Sequence, residues 1–153
     1  MTKAEFIKEF AIAIATQEGY FVKQEDAKKR GIKYPTKSQR QNNPGNLRSW
    51  GNYPIVENTV HFPNAPKGWD ALYQQIVKNI NRGLTLEEFF TGKEGVYYGY
   101  APSKDSNNPV RYAQYVSKFI GIPAYIPLNK VIMELKDTPA DAGSNSPTSW
   151  TRR

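Results

Sequence analysis

The sequence predicts a mainly helical α+β domain with one small β-hairpin, and three observations predict it. Apolar residues recur at helical spacing in several segments, each bounded by capping or stop residues. β-Branched and aromatic residues gather with turn residues in one stretch, 47–62. No strand–helix–strand alternation occurs, which excludes a parallel sheet of the dinucleotide-binding kind. The chain has no internal repeats.

The first helix is expected from Thr2 to Glu18. Thr2 and Glu5 have capping-box spacing, Phe6, Ile7, Phe10, Ala11 and Ile14 form one apolar face, and Gly19 supplies the stop. Residues 23–42 carry Lys23, Lys28, Lys29, Arg30, Lys33, Lys37 and Arg40 against Glu25 and Asp26, with few apolar residues. They read as a mobile basic loop with room for a helical turn. From Leu47 to Phe62, Trp50, Tyr53, Ile55, Val56, Val60 and Phe62 predict a two- or three-stranded hairpin broken at Gly51-Asn52 and Glu57-Asn58.

A second helix is expected over Pro66–Arg82, with Trp69, Leu72, Ile76 and Ile80 facing the core and Gly83 as stop. Thr85 and Glu88 form another capping box and open a short helix through Phe90. Residues 92–108 form a loop holding Tyr97, Tyr98 and Tyr100. Asn108-Pro109 is an N-cap followed by an N1 proline. It opens a helix to Ile120 with Val110, Ala113, Val116, Phe119 and Ile120 as apolar positions and Gly121 as stop. A last helix spans Pro127–Leu135. Residues 137–153 are rich in Pro, Ser, Asp and Gly and lack a periodic face, so a domain over 1–136 is followed by a tail.

At 153 residues, 39% hydrophobic and 13% aromatic, the chain can bury a core without covalent staples. No run of 18 apolar residues occurs, so no transmembrane segment is expected. Glu5, Lys8 and Glu9 interrupt the start of the chain, which does not fit a signal peptide. Cysteine is absent, excluding disulfides, thiolate metal sites and a thiol nucleophile. The single histidine, His61, excludes a multi-histidine metal site and reads as structural. The available chemistry is that of carboxylates, hydroxyls, amides, Lys and Arg, with no metal and no cofactor expected.

The formal charge of +7 implies a polyanionic partner or a solvated basic surface. Nucleic acid and bacterial cell wall are both polyanionic. The basic stretch near 28–40 holds only Tyr34 for stacking, and no helix-turn-helix or zinc spacing is present. No specific nucleic-acid partner is therefore expected.

The candidate chemistry centres on Glu18, a carboxylate at the end of an apolar helix and just before Gly19, Tyr20 and Phe21. The negative end of the helix and the neighbouring aromatics both disfavour its ionised form. A carboxyl kept protonated near neutral pH can serve as a general acid; a plain exposed Glu is the alternative. Asn42-Asn43-Pro44-Gly45-Asn46-Leu47-Arg48 is turn chemistry that presents amides in fixed directions. Asn43 and Asn46 suit sugar hydroxyls and N-acetyl groups, or a structural turn, or both. Arg48 could pair with a carboxylate or hold the loop. Tyr100-Ala101-Pro102, the pair Asn107-Asn108, and Tyr112 form a third group offering flat apolar faces and polar edges, with core packing and helix capping as the other reading.

Taken in order, the motifs resemble phage- and prophage-encoded lysozyme-like proteins of the lytic transglycosylase type. The carriers are Ile14-Ala15-Thr16-Gln17-Glu18-Gly19-Tyr20, the Gln41–Arg48 string, Gly68-Trp69-Asp70-Ala71-Leu72, Gly83-Leu84-Thr85-Leu86, and Tyr100-Ala101-Pro102 with Asn107-Asn108 and Tyr112. The likeness spans roughly residues 4 to 122 and is most specific at Asn-Asn-Pro-Gly-Asn-Leu-Arg. It implies a lysozyme-like fold: a helical bundle, a small β-hairpin lobe and a cleft between them. It implies Glu18 as catalytic acid on peptidoglycan, cutting between N-acetylmuramic acid and N-acetylglucosamine. Asn43, Asn46, Tyr100, Asn108 and Tyr112 become the expected substrate-binding residues.

In a transglycosylase the same Glu then acts as base while the sugar's own 6-hydroxyl closes an anhydro ring, so one carboxylate suffices. Hydrolysis usually needs a second acid at a set separation. Asp26, Glu57, Asp70, Glu94 and Asp105 are present, and none sits in a motif that marks it. The expected setting is a virion-associated protein acting on the cell wall, with other virion proteins as further partners; a late lysin is the other deployment the sequence leaves open. The competing expectation is a non-catalytic virion structural or wall-binding protein of the same fold.

Overall fold

The structure is a computed structural model and describes residues 1–101 and 108–137. Its described elements are α1 (Lys3–Gln17), α2 (Gln24–Arg30), α3 (Lys37–Arg40), β1 (Ile55–Val56), β2 (Thr59–Val60), α4 (Ala65–Asn81), α5 (Leu86–Thr91), α6 (Pro109–Ile120) and α7 (Leu128–Met133). The chain is thus mainly helical with one small antiparallel sheet among the described residues. None of these helices is long and apolar enough to cross a membrane. Pro102, Asp105 and Asn107 lie outside the described residues, as does the expected tail beyond Asp137.

Local chemistry sets the helix boundaries. Thr2 and Glu5 complete a reciprocal capping box on α1, and Gly19 leaves the helix at φ +79°. Asn64 caps α4 through the Lys67 amide, Thr85 and Glu88 box the start of α5, and Asn108 caps α6 through the Arg111 amide. Phe6, Phe10, Ile14, Leu72, Ile76, Leu86, Phe89, Phe90, Ala113 and Val116 meet in one core built from α1, α4, α5 and α6. A smaller cluster of Leu47, Val60, Phe62 and Ala71, with Trp50, Tyr53 and Tyr100 against it, roots the hairpin region on α4.

Three expectations change. The basic segment forms two short helices, α2 and α3, where a loop was expected. Its order comes from long-range polar bonds described below, which an apolar pattern does not register. The hairpin shrinks to two residues per strand, with Ile55 opposite Val60 and Val56 opposite Thr59. Glu57 and Asn58 turn it at φ +53° and +70°, the two-residue geometry that matches strand twist. On α6, Val110 and Phe119 are exposed, and the face that packs inward is Tyr112, Ala113, Tyr115, Val116 and Ile120. The tyrosine rings fill the space against α1 and α5, with Tyr112 stacked on Phe90 at 4.3 Å between centroids.

Gly68 determines how α4 meets the Asn42–Gly45 turn. A Cβ at this helical position would lie 2.9 Å from the Asn42 carbonyl carbon and 3.0 Å from Pro44 Cδ, and closer still to the Asn42 oxygen. Only glycine lets the helix come this near the loop backbone.

Candidate functional site

Glu18 is the C-cap of α1 (φ −86°, ψ 6°), with its amide donating to Ile14 O at 3.0 Å. The helix therefore ends at a fixed place, and the carbonyls that follow would lack partners. The α3 segment supplies them. Ser38 Oγ donates to Glu18 O and Thr36 Oγ1 to Gly19 O, each at 2.9 Å. Gln39 Nε2 donates to Tyr20 O and Val22 O, also at 2.9 Å. Thr36 and Gln39 form a capping box of their own, so α3 is locally preformed for this task. The helix end that carries Glu18 is held by four bonds from a segment that looked like loop.

The carboxylate is met from two sides. Asn46 Nδ2 donates to Oε1 at 2.9 Å, and Tyr112 Oη donates to Oε2 at 2.7 Å. Burial pushes the Glu18 carboxyl above its ordinary range, against the opposing pull of the Tyr112 and Asn46 bonds and of Lys37 and Arg48 nearby. The residue as a whole keeps partial exposure while its carboxyl is desolvated. It opens into a polar pocket of about 160 Å³ lined also by Lys37, Asn46, Arg48, Thr59 and Tyr100. Glu18 is the one carboxylate among the described residues lining this pocket.

Tyr112 can serve both protonation states of Glu18. Its hydroxyl lies 2.7 Å from Oε2 and 3.4 Å from Ile14 O. Against an ionised Glu18 the phenol donates to the carboxylate. Against a protonated Glu18 its oxygen can accept a hydrogen bond from the carboxyl O–H and turn its own hydrogen toward Ile14 O, because a hydroxyl rotates to suit its partners. Burial and then the Glu18 charge push the Tyr112 hydroxyl well above its usual range, so it remains a protonated donor.

Asn46 is held at local expense. It adopts φ +48°, a left-handed conformation that asparagine tolerates, and its Oδ1 is enclosed without a hydrogen-bond partner among the described residues. An unpaired buried acceptor costs on the order of 1–3 kcal/mol. The fold carries this cost while aiming the amide nitrogen at the Glu18 carboxylate. Such local conflict concentrates at functional positions.

The remaining site expectations separate. Asn43 is fully buried, with Nδ2 donating to Leu47 O (3.0 Å) and Val60 O (2.9 Å) and Oδ1 accepting from Leu47 N (2.9 Å). It presents no surface to a ligand and builds the loop that carries Asn46. Tyr100 Oη donates to Gly45 O, and its hydroxyl is raised well above the usual range by burial first and Glu18 second. It pins the same loop while lining the pocket. Asn108 caps α6 at Arg111 N, 3.1 Å, and does not join the Glu18 group. Tyr112 does join it, through the catalytic candidate itself.

Sequence reasoning missed Lys37 and Thr59 as pocket-lining residues. The Thr36–Gln39 capping spacing was the available signal for Lys37, since it places that residue at the first helical position. Among the other acids, Glu57 pairs with Arg40 at 3.0 Å, Asp70 accepts from Gln74 at 2.6 Å, and Glu94 lies on the surface beyond α5. No family model, no curated protein and no solved structure matches the chain.

Proposed function

We propose that this chain cleaves the peptidoglycan glycan strand between N-acetylmuramic acid and N-acetylglucosamine, as a virion-associated lytic transglycosylase with a lysozyme-like fold. The observation that carries the reading is Glu18: a single desolvated carboxyl at a helix end, bonded by Asn46 and Tyr112 and open to a polar pocket. In this reading the pocket lies in a cleft between the helical part and the hairpin lobe.

Protonated Glu18 gives its proton to the glycosidic oxygen as the bond from that oxygen to the muramyl anomeric carbon breaks. The departing N-acetylglucosamine leaves with that proton. The muramyl 6-hydroxyl oxygen then bonds to the anomeric carbon, and Glu18, now a carboxylate, takes the hydroxyl proton. The enzyme returns to its starting state and the product is a 1,6-anhydro sugar. A raised pKa suits the first step, and the bonds from Asn46 and Tyr112 suit the carboxylate formed between the steps. Among the described residues Glu18 is the one carboxylate lining the pocket, which favours this route over a two-carboxylate hydrolysis. The motif resemblance supports the substrate and the virion setting.

The test is clarification of purified sacculi. Wild type is expected to reduce turbidity, and Glu18→Gln, with unchanged circular dichroism, is expected to leave it constant. Equal activity of the two proteins removes Glu18 from the mechanism.

A further inference from the structure

The chain segments that line the Glu18 pocket run on into a basic, aromatic surface. Two shallow depressions of about 460 and 470 Å³ share Gln75 of α4. Both walls continue those of the Glu18 pocket along the chain. Arg48 and Tyr100 line that pocket, while Trp50 lines one depression and Tyr98 the other.

Lys78 and Arg82, one turn apart on the same face of α4, stand over rings: Lys78 Nζ is 4.7 Å from the Trp50 centroid and Arg82 is 4.9 Å from that of Tyr97. Neither is matched to a carboxylate among the described residues. Lys93 adds a third cation to the lining, 4.0 Å from the Glu88 carboxylate, and Glu94 is the acid on the same lining. Tyr98 is 70% exposed, a large ring left in solvent at the rim. Three cations, the open ring of Tyr98 and the half-buried edge of Trp50 form a surface for a ligand that is anionic and carries apolar or ring surface.

We infer that this groove holds the peptide stems of the glycan strand, with Lys78, Arg82 and Lys93 pairing the stem carboxylates and Trp50 and Tyr98 covering their apolar parts. The inference rests on the muralytic reading of the Glu18 pocket. It makes the protein a reader of peptide-bearing strands as well as a cutter of glycan. Arg82 also donates to the buried Asn79, so the groove is best probed at the two lysines.

The experiment measures binding of purified glycan strands, free of phosphate polymer, to the Glu18→Gln protein, which keeps the strand intact. Strands are used untreated and after their carboxylates are converted to amides. Lys78→Gln/Lys93→Gln is compared with Lys118→Gln/Lys130→Gln, which removes equal charge from residues lining neither depression. The groove variant is expected to bind untreated strands roughly tenfold more weakly and amidated strands unchanged, with the control pair behaving as the parent. Parent-like binding by the groove variant, or an equal loss in the control pair, overturns the assignment. Stronger binding of single-stranded DNA than of strands, lost with the two lysines, overturns it in favour of a nucleic-acid site. Binding of neither strand by any protein rejects the muralytic reading and the inference with it.

Discussion

Gly68→Ala sets two physical effects against each other, and the structure decides the sign. Position 68 is helical, so on propensity alone alanine should stabilise α4 by about 1 kcal/mol. The new methyl would instead stand 2.9 Å from the Asn42 carbonyl carbon and 3.0 Å from Pro44 Cδ, with the Asn42 oxygen nearer still. Ordinary carbon contacts lie near 3.5–4.0 Å, so helix and turn must part by on the order of 1 Å. The obstacle is backbone and a proline ring, neither of which can rotate away. Overpacking of this kind costs about 1–3 kcal/mol and exceeds the propensity gain. A net loss of about 1 kcal/mol lowers the melting temperature by roughly 2–4 °C in a domain of this size. The displaced turn carries Asn46, so the 2.9 Å bond to Glu18 should lengthen and sacculus clarification should fall further than stability does. Thermal melts by circular dichroism, with activity measured well below the melt, read both effects. An unchanged or raised melting temperature would refute the close-approach argument.

Other predictions follow from the bonds around Glu18. Asn43→Ala leaves the buried Leu47 amide and Val60 carbonyl without their side-chain partner, so urea denaturation should show a loss of about 2–4 kcal/mol. Tyr112→Phe removes a bond that lowers the Glu18 pKa, so the alkaline limb of the pH–rate profile should move to higher pH; an unmoved limb would mean that Tyr112 does not touch the working carboxyl. Burial raises the folded pKa of Glu18 above its unfolded value, so ionisation of Glu18 weakens the fold. This penalty is absent below the unfolded pKa and complete once pH has risen through the folded one. Glu18→Gln should therefore match wild-type stability in acid and exceed it increasingly across that rise, read from urea midpoints at a series of pH values.

Much of the helical framework was legible because its determinants are local. Thr2 with Glu5, Thr85 with Glu88 and Asn108 with Pro109 fix boundaries within four residues of themselves. The α2–α3 segment was misread because its order depends on Thr36, Ser38 and Gln39 reaching carbonyls 17 to 20 residues earlier, with almost no apolar face to advertise it. On α6 Ala113, Val116 and Ile120 pack as expected, while Tyr112, read as a sugar platform, and Tyr115 pack inward in place of Val110 and Phe119. At the site, Glu18 and the Asn42–Arg48 turn stood out by composition. Their relation did not, since Asn46 lies 28 positions and Tyr112 94 positions from Glu18. Only the fold distinguishes Asn46, which bonds the carboxyl, from Asn43, which builds the turn.

The central claim is that Glu18 alone supplies acid and then base to a glycosidic bond of peptidoglycan. The most direct measurement is mass spectrometry of the muropeptides released from purified peptidoglycan by wild type and by Glu18→Gln. The account predicts 1,6-anhydro-muramyl products from wild type and none from Glu18→Gln. Reducing-end products from wild type, or no release at all, would contradict it.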